Sequence, residues 1–218
     1  NTRIERLQSV DVAASDPAYI LFTSGSTGVP KGVVQSHGGV IEHNSVFAQS
    51  LGLTANDRLL MTSSQGFDAA PMDMYSAWLS GATWCPFSIQ RGSGAELAEF
   101  IEKHGITVFH AAPSVVRWFA GSAPQQSKLE AVRLVVMGGE QGRTSDTQLV
   151  RSLFSGCTRM INGYGLTESS VSLQHGFDLE SENQTTSVLP IGRATAGTCV
   201  RLVDRDGEST TLYGEIEL

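Results

Sequence analysis

The sequence has 218 residues, of which 40% are hydrophobic and 17% are charged, and its 15 Lys and Arg against 22 Asp and Glu give a net charge of -7. This composition predicts a globular protein and excludes a disordered or fibrous one. The acidic balance and the lack of a basic run argue against a nucleic-acid partner, and the longest apolar runs are too short for a membrane helix.

From about residue 17, short β-rich segments alternate with longer segments of helical spacing. This alternation predicts parallel strands joined by crossover helices. Each strand segment is apolar enough to be buried on both faces of a sheet. The predicted strands cover residues 19–23, 58–62, 106–110, 133–137 and 159–162. The sequence therefore predicts an α/β fold, a flavodoxin-like layered sheet with flanking helices.

Apolar residues at helical spacing predict the helices between these strands. Leu97 and Ile101 share one face of a helix that ends at Gly105. Ser145 and Gln148 have the spacing of a capping box for a second helix, predicted over about 147–154. The remaining predicted helices cover residues 40–50, 72–80 and 114–120.

After about residue 175 the sequence becomes polar and loop-like. Two strand-like segments follow, 198–203 and 212–218, joined by a turn over 204–207. They predict the beginning of a small β unit. The predicted divisions are a linker over 1–17, an α/β core subdomain over 18–185 and the start of a truncated β subdomain over 186–218.

The cysteines indicate the cellular compartment, and the two ends of the chain bear on its completeness. Cys85, Cys157 and Cys199 are odd in number and far apart, and no CxxC pair occurs. They predict reduced thiols in a cytoplasmic protein. Because the chain opens at Asn1 and stops at Leu218 inside a strand-like segment, we expect it to be part of a longer protein.

A stretch rich in glycine and hydroxyl groups, TSGSTGVPKG, follows the first predicted strand over residues 23–32. Its glycines allow backbone N–H groups to approach a polyanion, and Lys31 adds a positive charge. The spacing differs from that of a P-loop, since Gly32 and not Ser or Thr follows the lysine. The stretch predicts a phosphate-binding loop, with a flexible surface linker as the alternative.

A second stretch, NGYGLTE over residues 162–168, lies at the end of another predicted strand, where open α/β sheets bind ligands. Tyr164 offers a flat face for a base, Thr167 a hydroxyl for phosphate, and Glu168 a carboxylate for Mg²⁺. An ordinary glycine-rich turn is the alternative.

The third stretch, Met137 to Glu140, contains two consecutive glycines. Residues without side chains would let the backbone lie against a planar ring. A common strand-to-helix turn is an equally good interpretation. This stretch therefore gains meaning only together with the other two.

In this order and about 140 residues apart, the first two stretches resemble the adenylate-forming superfamily, and most closely the adenylation domains of nonribosomal peptide synthetases. The segment 67–75, FDAAPMDMY, and the segments 191–193 and 213–217 fit the same family, so the resemblance extends from Tyr19 to Leu218. It implies that a substrate carboxylate attacks the α-phosphate of ATP, giving an acyl adenylate and pyrophosphate. A pantetheine thiol then displaces AMP.

The resemblance also implies roles for the three stretches. Lys31, Thr167 and Glu168 would be catalytic, with Thr167 at the α-phosphate and Glu168 on Mg²⁺. The β- and γ-phosphates would be held by Thr23, Ser24, Gly25, Ser26, Thr27, Gly28 and Lys31. The rest of the nucleotide would be bound by Gly138, Gly139, Glu140, Asn162, Gly163, Tyr164, Gly165 and Thr167. Among these, Tyr164 would stack on the adenine and Asn162 would lie near its exocyclic amine.

For the acyl group, Asp68 matches the family position whose carboxylate pairs with an α-ammonium, because a desolvated ammonium needs an opposite charge. Asp68 thus favours an amino acid substrate. The alternative is a helix cap, a role that Asp73 could also fill. The resemblance implies a pocket lined by Asp68, Ala69, Met72, His110, Val135, Met137, Gly163, Val171 and Ser172.

Side-chain size and polarity in this pocket give a first idea of the substrate. Small Ala69 and Gly163 leave room, which favours a medium or large acyl group. His110 is a polar feature that could meet a side-chain group, or a strand residue hydrogen-bonded to the backbone. Because Met72 stands where the family often has an aromatic residue, the amino acid itself stays open.

The resemblance implies ATP and Mg²⁺, an amino acid substrate, a peptidyl carrier protein that bears phosphopantetheine, and neighbouring synthetase domains. The family's ribose-binding Asp and the catalytic Lys of its C-terminal domain would lie beyond Leu218, so we expect the chain alone to be inactive. An acyl- or aryl-CoA ligase and a non-catalytic subdomain are the alternatives. All these expectations require that Lys31 and Glu168 lie close together.

Overall fold

The computed structural model describes residues 10–24, 28–124, 129–180, 187–211 and 214–218. The helices are α1 (His37–Leu51), α2 (Ala69–Leu79), α3 (Gly94–His104), α4 (Pro113–Ser122) and α5 (Thr144–Leu153). The strands are β1 (Pro17–Thr23), β2 (Lys31–Ser36), β3 (Arg58–Met61), β4 (Thr83–Pro86), β5 (Val108–Ala111), β6 (Leu134–Met137), β7 (Arg159–Leu166), β8 (Ser170–Asp178), β9 (Arg193–Ala194), β10 (Arg201–Val203) and β11 (Glu215–Glu217). None of the helices in this part of the chain has the length and apolarity of a membrane span.

A seven-stranded sheet with the order β4-β3-β5-β6-β7-β8-β9 forms the centre of the molecule. The strands from β4 to β7 are parallel, and β8 and β9 run antiparallel to their neighbours. Counted along the chain, the five parallel strands have the order 2-1-3-4-5 of flavodoxin-like folds. The structure thus confirms the predicted α/β fold with a layered sheet.

Two apolar clusters cover the two faces of this sheet. One contains Phe47 of α1 and Met72 of α2, and the other contains residues of α3, α4 and α5, including Phe119. Side chains alternate between faces along each strand. In β5, Phe109 consequently lies in the cluster of α3–α5, whereas His110 contacts Phe47 on the α1–α2 face.

The helix predicted to end at Gly105 is confirmed as α3. Gly105 follows the last turn with a left-handed φ of 57°, which glycine adopts without strain. At the other end, Ser93 and Glu96 form a reciprocal capping box. Both helix signals are local in the sequence, which explains why the prediction succeeds here.

The capping box predicted for α5 is wrong. The helix begins at Thr144, ahead of the predicted start, and the carboxylate of Asp146 accepts a hydrogen bond from the Arg143 backbone N–H at 2.7 Å. Ser145 and Gln148 therefore lie inside the helix. The negative charge of Asp146 in the first turn also interacts favourably with the positive end of the helix dipole.

The predicted burial of residues 19–23 in the parallel sheet is also wrong. Among the strands of the described residues, β1 pairs with β2 alone, antiparallel, in a separate two-stranded sheet. Ile20 and Phe22 are 55% and 70% exposed on it. The glycine-rich stretch 23–32 consequently includes the connection of a β-hairpin, with Thr23 as the last residue of β1 and Lys31 as the first residue of β2.

The change of texture predicted after residue 175 comes too early. β8 continues to Asp178, and Phe177 is buried in the core. The small β unit is confirmed in β10 and β11, which form a two-stranded antiparallel sheet. β9, however, pairs with β8, so the chain near residue 193 still belongs to the central sheet. The proposed domain boundaries stay a prediction.

Candidate active site

A cavity of about 650 Å³ opens at the carboxyl ends of the central parallel strands. Its walls come from the ends of β3, β5 and β6 and from the loops that follow them, together with β7 and the start of β8. β3 and β5 are neighbours at which the strand order reverses, and open α/β sheets bind ligands at such a point. The strand order alone therefore determines where the cavity lies.

Lys31 and Glu168 lie next to each other, with the lysine Nζ 3.6 Å from the glutamate Oε1. Both side chains are largely exposed, so the pair is open to exchange with a ligand. Gln35 of β2 joins the same two segments, because its Nε2 donates to the carbonyl oxygen of Thr167 at 2.9 Å. The hairpin and the β7–β8 turn thus meet, as the sequence analysis requires.

The glycine-rich connection itself is described only at its ends. Thr23 donates through Oγ1 to the Lys31 carbonyl oxygen at 3.5 Å, and Ser24 is exposed. Gly28 has a φ of 80°, a conformation that favours glycine. Residues Gly25, Ser26 and Thr27, which the sequence analysis assigns to phosphate binding, lie outside the described residues.

The turn between β7 and β8 is tight. Gly165 has no room for a side chain, because a Cβ there would collide with the carbonyl oxygen of Ser170. Ser170 itself has a left-handed φ of 54°. This geometry fixes where Thr167 and Glu168 leave the sheet.

Gly138, Gly139 and Glu140 follow β6 and line the cavity. The carboxylate of Glu140 accepts hydrogen bonds from the backbone N–H of Ser114 at 3.1 Å and from its hydroxyl at 2.6 Å. Glu140 therefore caps the first turn of α4, a role that sequence analysis misses because the partners are far apart in sequence. Its position beside a planar ring stays a prediction.

Asn162 and Tyr164 lie on the same face of β7, two residues apart. Asn162 donates through Nδ2 to the carbonyl oxygen of Pro190 at 2.9 Å. Its Oδ1 is buried and accepts no hydrogen bond from any described residue. Neither Asn162 nor Tyr164 is among the residues that line the cavity, so their roles at an adenine ring stay a prediction.

Asp68 is half-buried at the entrance of α2 and lines the cavity. It stands at the N-cap position, but its side chain makes no capping hydrogen bond. Within the described ranges its carboxylate has no hydrogen-bond or ion-pair partner. Burial, and then the charge of Asp68, raise the pKa of Tyr19.

Asp73, the other candidate cap, is inside α2 and fully buried. Its Oδ1 lies 2.5 Å from Nδ1 of His110, which is 5% exposed and lines the cavity. The histidine is thus bonded to a side chain, and the alternative of a backbone partner for its ring is not observed. Neither aspartate caps the helix.

Of the other predicted pocket residues, Ala69, Met72, Gly163 and Val171 line the cavity, whereas Val135, Met137 and Ser172 do not. Val135 and Met137 are fully buried in the cluster of α3–α5. His110 pairs in register with Val136 on the adjacent strand, so the residues on either side of Val136 face the opposite way. Ser172 is buried, and its hydroxyl donates to Ser169.

The cavity also takes in residues that sequence analysis did not select, from the segments 61–67, 86–90 and 111–115. The first and last of these directly follow β3 and β5, so the strand predictions could have found them. The segment 86–90 follows β4, which the sequence did not predict.

In the described part of the chain, no group of three or more His, Cys, Asp or Glu side chains could hold a metal ion. Glu168 is therefore a single carboxylate. Mg²⁺ in nucleotide sites is typically held by one or two carboxylates together with the phosphates, so Glu168 fits that ion through one ligand.

The fold and the cavity define an α/β domain built to bind a ligand at the switch point of its sheet. The sequence profile of AMP-binding enzymes matches residues 2–216, and the chain belongs to this family. In a sequence comparison, it is 32% identical over 206 residues to surfactin synthase subunit 2 of Bacillus subtilis, covering 92% of this chain and 6% of that protein. It is also 32% identical over 203 residues to L-proline–(L-prolyl-carrier protein) ligase of Streptomyces coelicolor, covering 92% and 38% of the two chains.

Among solved structures, the chain resembles the Vibrio cholerae adenylation domain AlmE in complex with glycyl-adenosine-5'-phosphate. The TM-score is 0.79 at 28% identity, and the match covers 94% of this chain and 39% of that one. The chain thus spans well under half the length of each of these three proteins.

Proposed function

We propose that this chain is the nucleotide- and acyl-binding part of an adenylation domain that activates an amino acid. The amino acid carboxylate attacks the α-phosphorus of ATP, and pyrophosphate leaves. The resulting aminoacyl adenylate then passes its acyl group to the phosphopantetheine thiol of a peptidyl carrier protein, and AMP leaves. Neighbouring synthetase domains would supply and use that carrier.

The observation that carries the proposal is Asp68. A half-buried carboxylate without a partner in the described structure is available to an α-ammonium group in the same cavity. A fatty or aryl acid would bring no such charge and would leave the carboxylate desolvated and unpaired. The resemblance to an adenylation domain that holds a glycyl adenylate supports the same substrate class.

On the nucleotide side, this chain's own groups would act mainly by positioning and by charge. Lys31 would neutralise the β- and γ-phosphates with the hairpin connection, and Thr167 would donate its hydroxyl to the α-phosphate. Glu168 would hold Mg²⁺, which neutralises phosphate charge when bound. Asn162 would accept from the adenine amine through its unpaired Oδ1, and Tyr164 would stack on the ring.

The test is amino-acid-dependent exchange of pyrophosphate into ATP by the full-length protein that contains this chain. The panel holds the proteinogenic amino acids together with fatty and aryl acids. Exchange with one or a few amino acids is expected. Exchange only with acids that lack an α-amino group would replace the proposal by its alternative, an acyl- or aryl-CoA ligase of the same family.

A companion measurement addresses the alternative of a non-catalytic unit. Calorimetry of the same protein with ATP and Mg²⁺ is expected to show binding that depends on Lys31. A folded protein that binds no nucleotide would contradict the proposed site.

A further inference from the structure

The β1–β2 hairpin carries Lys31, but strand pairing does not attach it to the central sheet. Among the described residues, its two strands pair with each other and with no further strand. Lys31 and Gln35 of β2 make polar contacts with the central sheet, and both reach the turn between β7 and β8. Side chains that bridge the two segments therefore influence the spacing between the hairpin and this turn.

Gln35 is a polar residue on the inward face of β2. Along this strand Val33 is buried and Val34 is 57% exposed, because side chains alternate between the two faces. Gln35 lies two positions after Val33, on the same face, and is half-buried. A buried side-chain amide costs free energy unless it forms hydrogen bonds, and an aliphatic residue would fill the same place without that cost. The hydrogen bonds of its amide therefore explain a glutamine at this position.

These hydrogen bonds go to two consecutive carbonyl oxygens of the β7–β8 turn. Nε2 of Gln35 lies 2.9 Å from the carbonyl oxygen of Thr167 and 3.4 Å from that of Glu168. Within the turn, the Ser169 N–H donates to the Leu166 carbonyl oxygen at 3.1 Å, so Thr167 and Glu168 are its two central residues. The two hydrogens of an amide nitrogen can serve both central carbonyl groups. Gln35 thus holds the turn by its backbone and does not engage its side chains.

The turn itself has a closely defined shape. A Cβ at Gly165 would collide with the carbonyl oxygen of Ser170, and Ser170 has a left-handed φ of 54°. The hydroxyl of Ser172 also lies 3.0 Å from that of Ser169. Because these contacts fix the turn internally, a hold on its two central carbonyl groups determines where the whole turn lies relative to the hairpin.

The ion pair between Lys31 and Glu168 is a link of a different kind. The lysine Nζ lies 3.6 Å from the glutamate Oε1, and the two side chains are 69% and 48% exposed. Exposed ion pairs of this kind contribute little to stability. The proposed function assigns the lysine to the phosphates and the glutamate to Mg²⁺, so this link opens when the ligand binds. The hydrogen bonds of Gln35 use backbone acceptors and do not compete with the ligand.

We propose that Gln35 is a positioning residue for the nucleotide. Its amide ties the β7–β8 turn to the hairpin and keeps Thr167 and Glu168 beside Lys31 while the ion pair is open. The inference rests on the proposed function, since it assumes that the hairpin and the turn bind one triphosphate together with Mg²⁺. Such positioning matters because a displacement of about 1 Å between groups that act together costs up to about a hundredfold in rate.

The first experiment measures the binding of ATP with Mg²⁺ to the full-length protein by calorimetry. Gln35→Met keeps the length of the side chain and removes its donors, and we expect the dissociation constant to rise about tenfold, in line with the net strength of such hydrogen bonds. Gln148→Met, at an exposed position of α5, is the matched control and is expected to bind as the wild type does. Equal affinity of the wild type and Gln35→Met would overturn the inference, whereas a wild type that binds no ATP would contradict the proposed function instead.

The second measurement separates positioning from a general loss of structure. In pyrophosphate exchange by the same protein, Gln35→Met is expected to raise both the KM for ATP and the Mg²⁺ concentration that gives half-maximal exchange about tenfold. The KM for the amino acid is expected to change less than about twofold, because Asp68 and the cavity around it belong to other segments. Equal increases in the two KM values would make Gln35 merely structural and overturn the inference.

A second variant covers the case in which Gln35→Met does not fold. Gln35→Asn retains the amide and its polarity but is one methylene group shorter, so it weakens the two contacts without placing an apolar side chain at the turn. We expect ATP with Mg²⁺ to bind more weakly to this variant than to the wild type. Unchanged affinity in folded Gln35→Asn would overturn the inference.

The last test asks whether Gln35 acts through the turn. Gln35→Met and Glu168→Gln are made singly and together, and the affinity for ATP with Mg²⁺ is measured for each. If Gln35 positions the carboxylate of Glu168, the loss in the double variant is smaller than the product of the two single losses. Losses that multiply would show that the two residues act independently and would overturn the inference.

Discussion

Asp68 and Asp73, at the carboxyl edge of the central sheet, are bonded differently from Asp57 at the amino edge. At the amino ends of the strands, Asp57 is 4% exposed and its two oxygens accept from Arg133 at 2.8 and 2.9 Å. Thr107 adds a third hydrogen bond at 2.7 Å. At the carboxyl ends, Asp68 has no partner in the described structure and Asp73 leaves one oxygen unpaired.

This difference separates stability from function. Saturated polar networks hold a fold together, while polar groups left unsatisfied cost stability and are retained where a ligand completes them. The amino edge therefore serves as the fixed base of the molecule. At the carboxyl edge, the unpaired oxygens of Asp68 and Asp73 lie beside a saturated pair, Asp146 with Arg117.

The largest expected effect comes from Asp68→Ala. The substitution removes the partner of the α-ammonium, and we expect kcat/KM for amino-acid-dependent exchange to fall at least about a hundredfold. Resistance to denaturant is expected to stay the same or to rise, because no bond within the described structure is lost. ATP binding measured by calorimetry is the control, and a loss of stability would remove the contrast between the edges.

Asp57→Asn is expected to lower the stability of the fold and to leave the activity largely unchanged. Burial by itself raises the pKa of Asp57, but hydrogen bonds from Arg133 and Thr107 hold this pKa at about 2, below the ordinary value of 3.8. A depressed pKa stabilises the fold at pH values above the ordinary one, and this contribution of about 2 kcal/mol is lost as the pH falls towards the lower value. Chemical denaturation over this range should show that loss in the wild type and a smaller one in the variant.

Glu168→Gln tests the exposed part of the carboxyl edge. We expect exchange to fall at least about tenfold, because the variant retains the shape of the side chain but loses the charge that would hold Mg²⁺. Unfolding is expected to change by less than about 1 kcal/mol, since exposed ion pairs such as Lys31–Glu168 contribute little. Glu99→Gln, on the exposed face of α3, is the matched control, and equal activity of the two variants would contradict the proposed role.

The smallest effect concerns the cysteines. Burial raises the pKa of the Cys157 thiol to about 11 and also raises that of Cys85, whereas Cys199 is exposed. Cys157 lies just before β7 and therefore at the amino edge. Alkylation of the native protein followed by mass spectrometry should modify Cys199 first, with little change in activity. Rapid modification of Cys157 would show that this edge opens more readily than its packing indicates.

Four of the five parallel strands, β3, β5, β6 and β7, could be predicted because each is a short apolar run bounded by turn residues, and α3 because its capping signals are local. The parallel strand β4 was not predicted. β1 could not be placed correctly, since its apolar residues have the composition of a buried strand and only the pairing with β2 reveals two exposed side chains. The sequence spacing also does not determine which residues of β6 face the cavity side of the sheet. Val135 and Met137 were therefore expected on the wrong face.

In the candidate site, the motifs carried the positions of Lys31, Asp68 and Glu168. The contact of Asp73 with His110 could not be predicted, because the two residues are 37 positions apart and their elements meet only through the packing of α2 on the sheet. The same holds for Glu140, whose partner on α4 is 26 positions away. Long-range side-chain pairs are set by tertiary packing, which a single sequence does not record.

The helices that follow β3 and β5 leave the sheet on opposite faces, α2 on one and α4 on the other. The two chain segments therefore diverge between β3 and β5, and the backbone alone leaves a cavity there, whichever side chains line it. Replacing residues at its rim leaves the ladder of strand hydrogen bonds intact. A fold of this kind is able to bind a different ligand after a few substitutions in its loops, while the sheet and the helices stay the same.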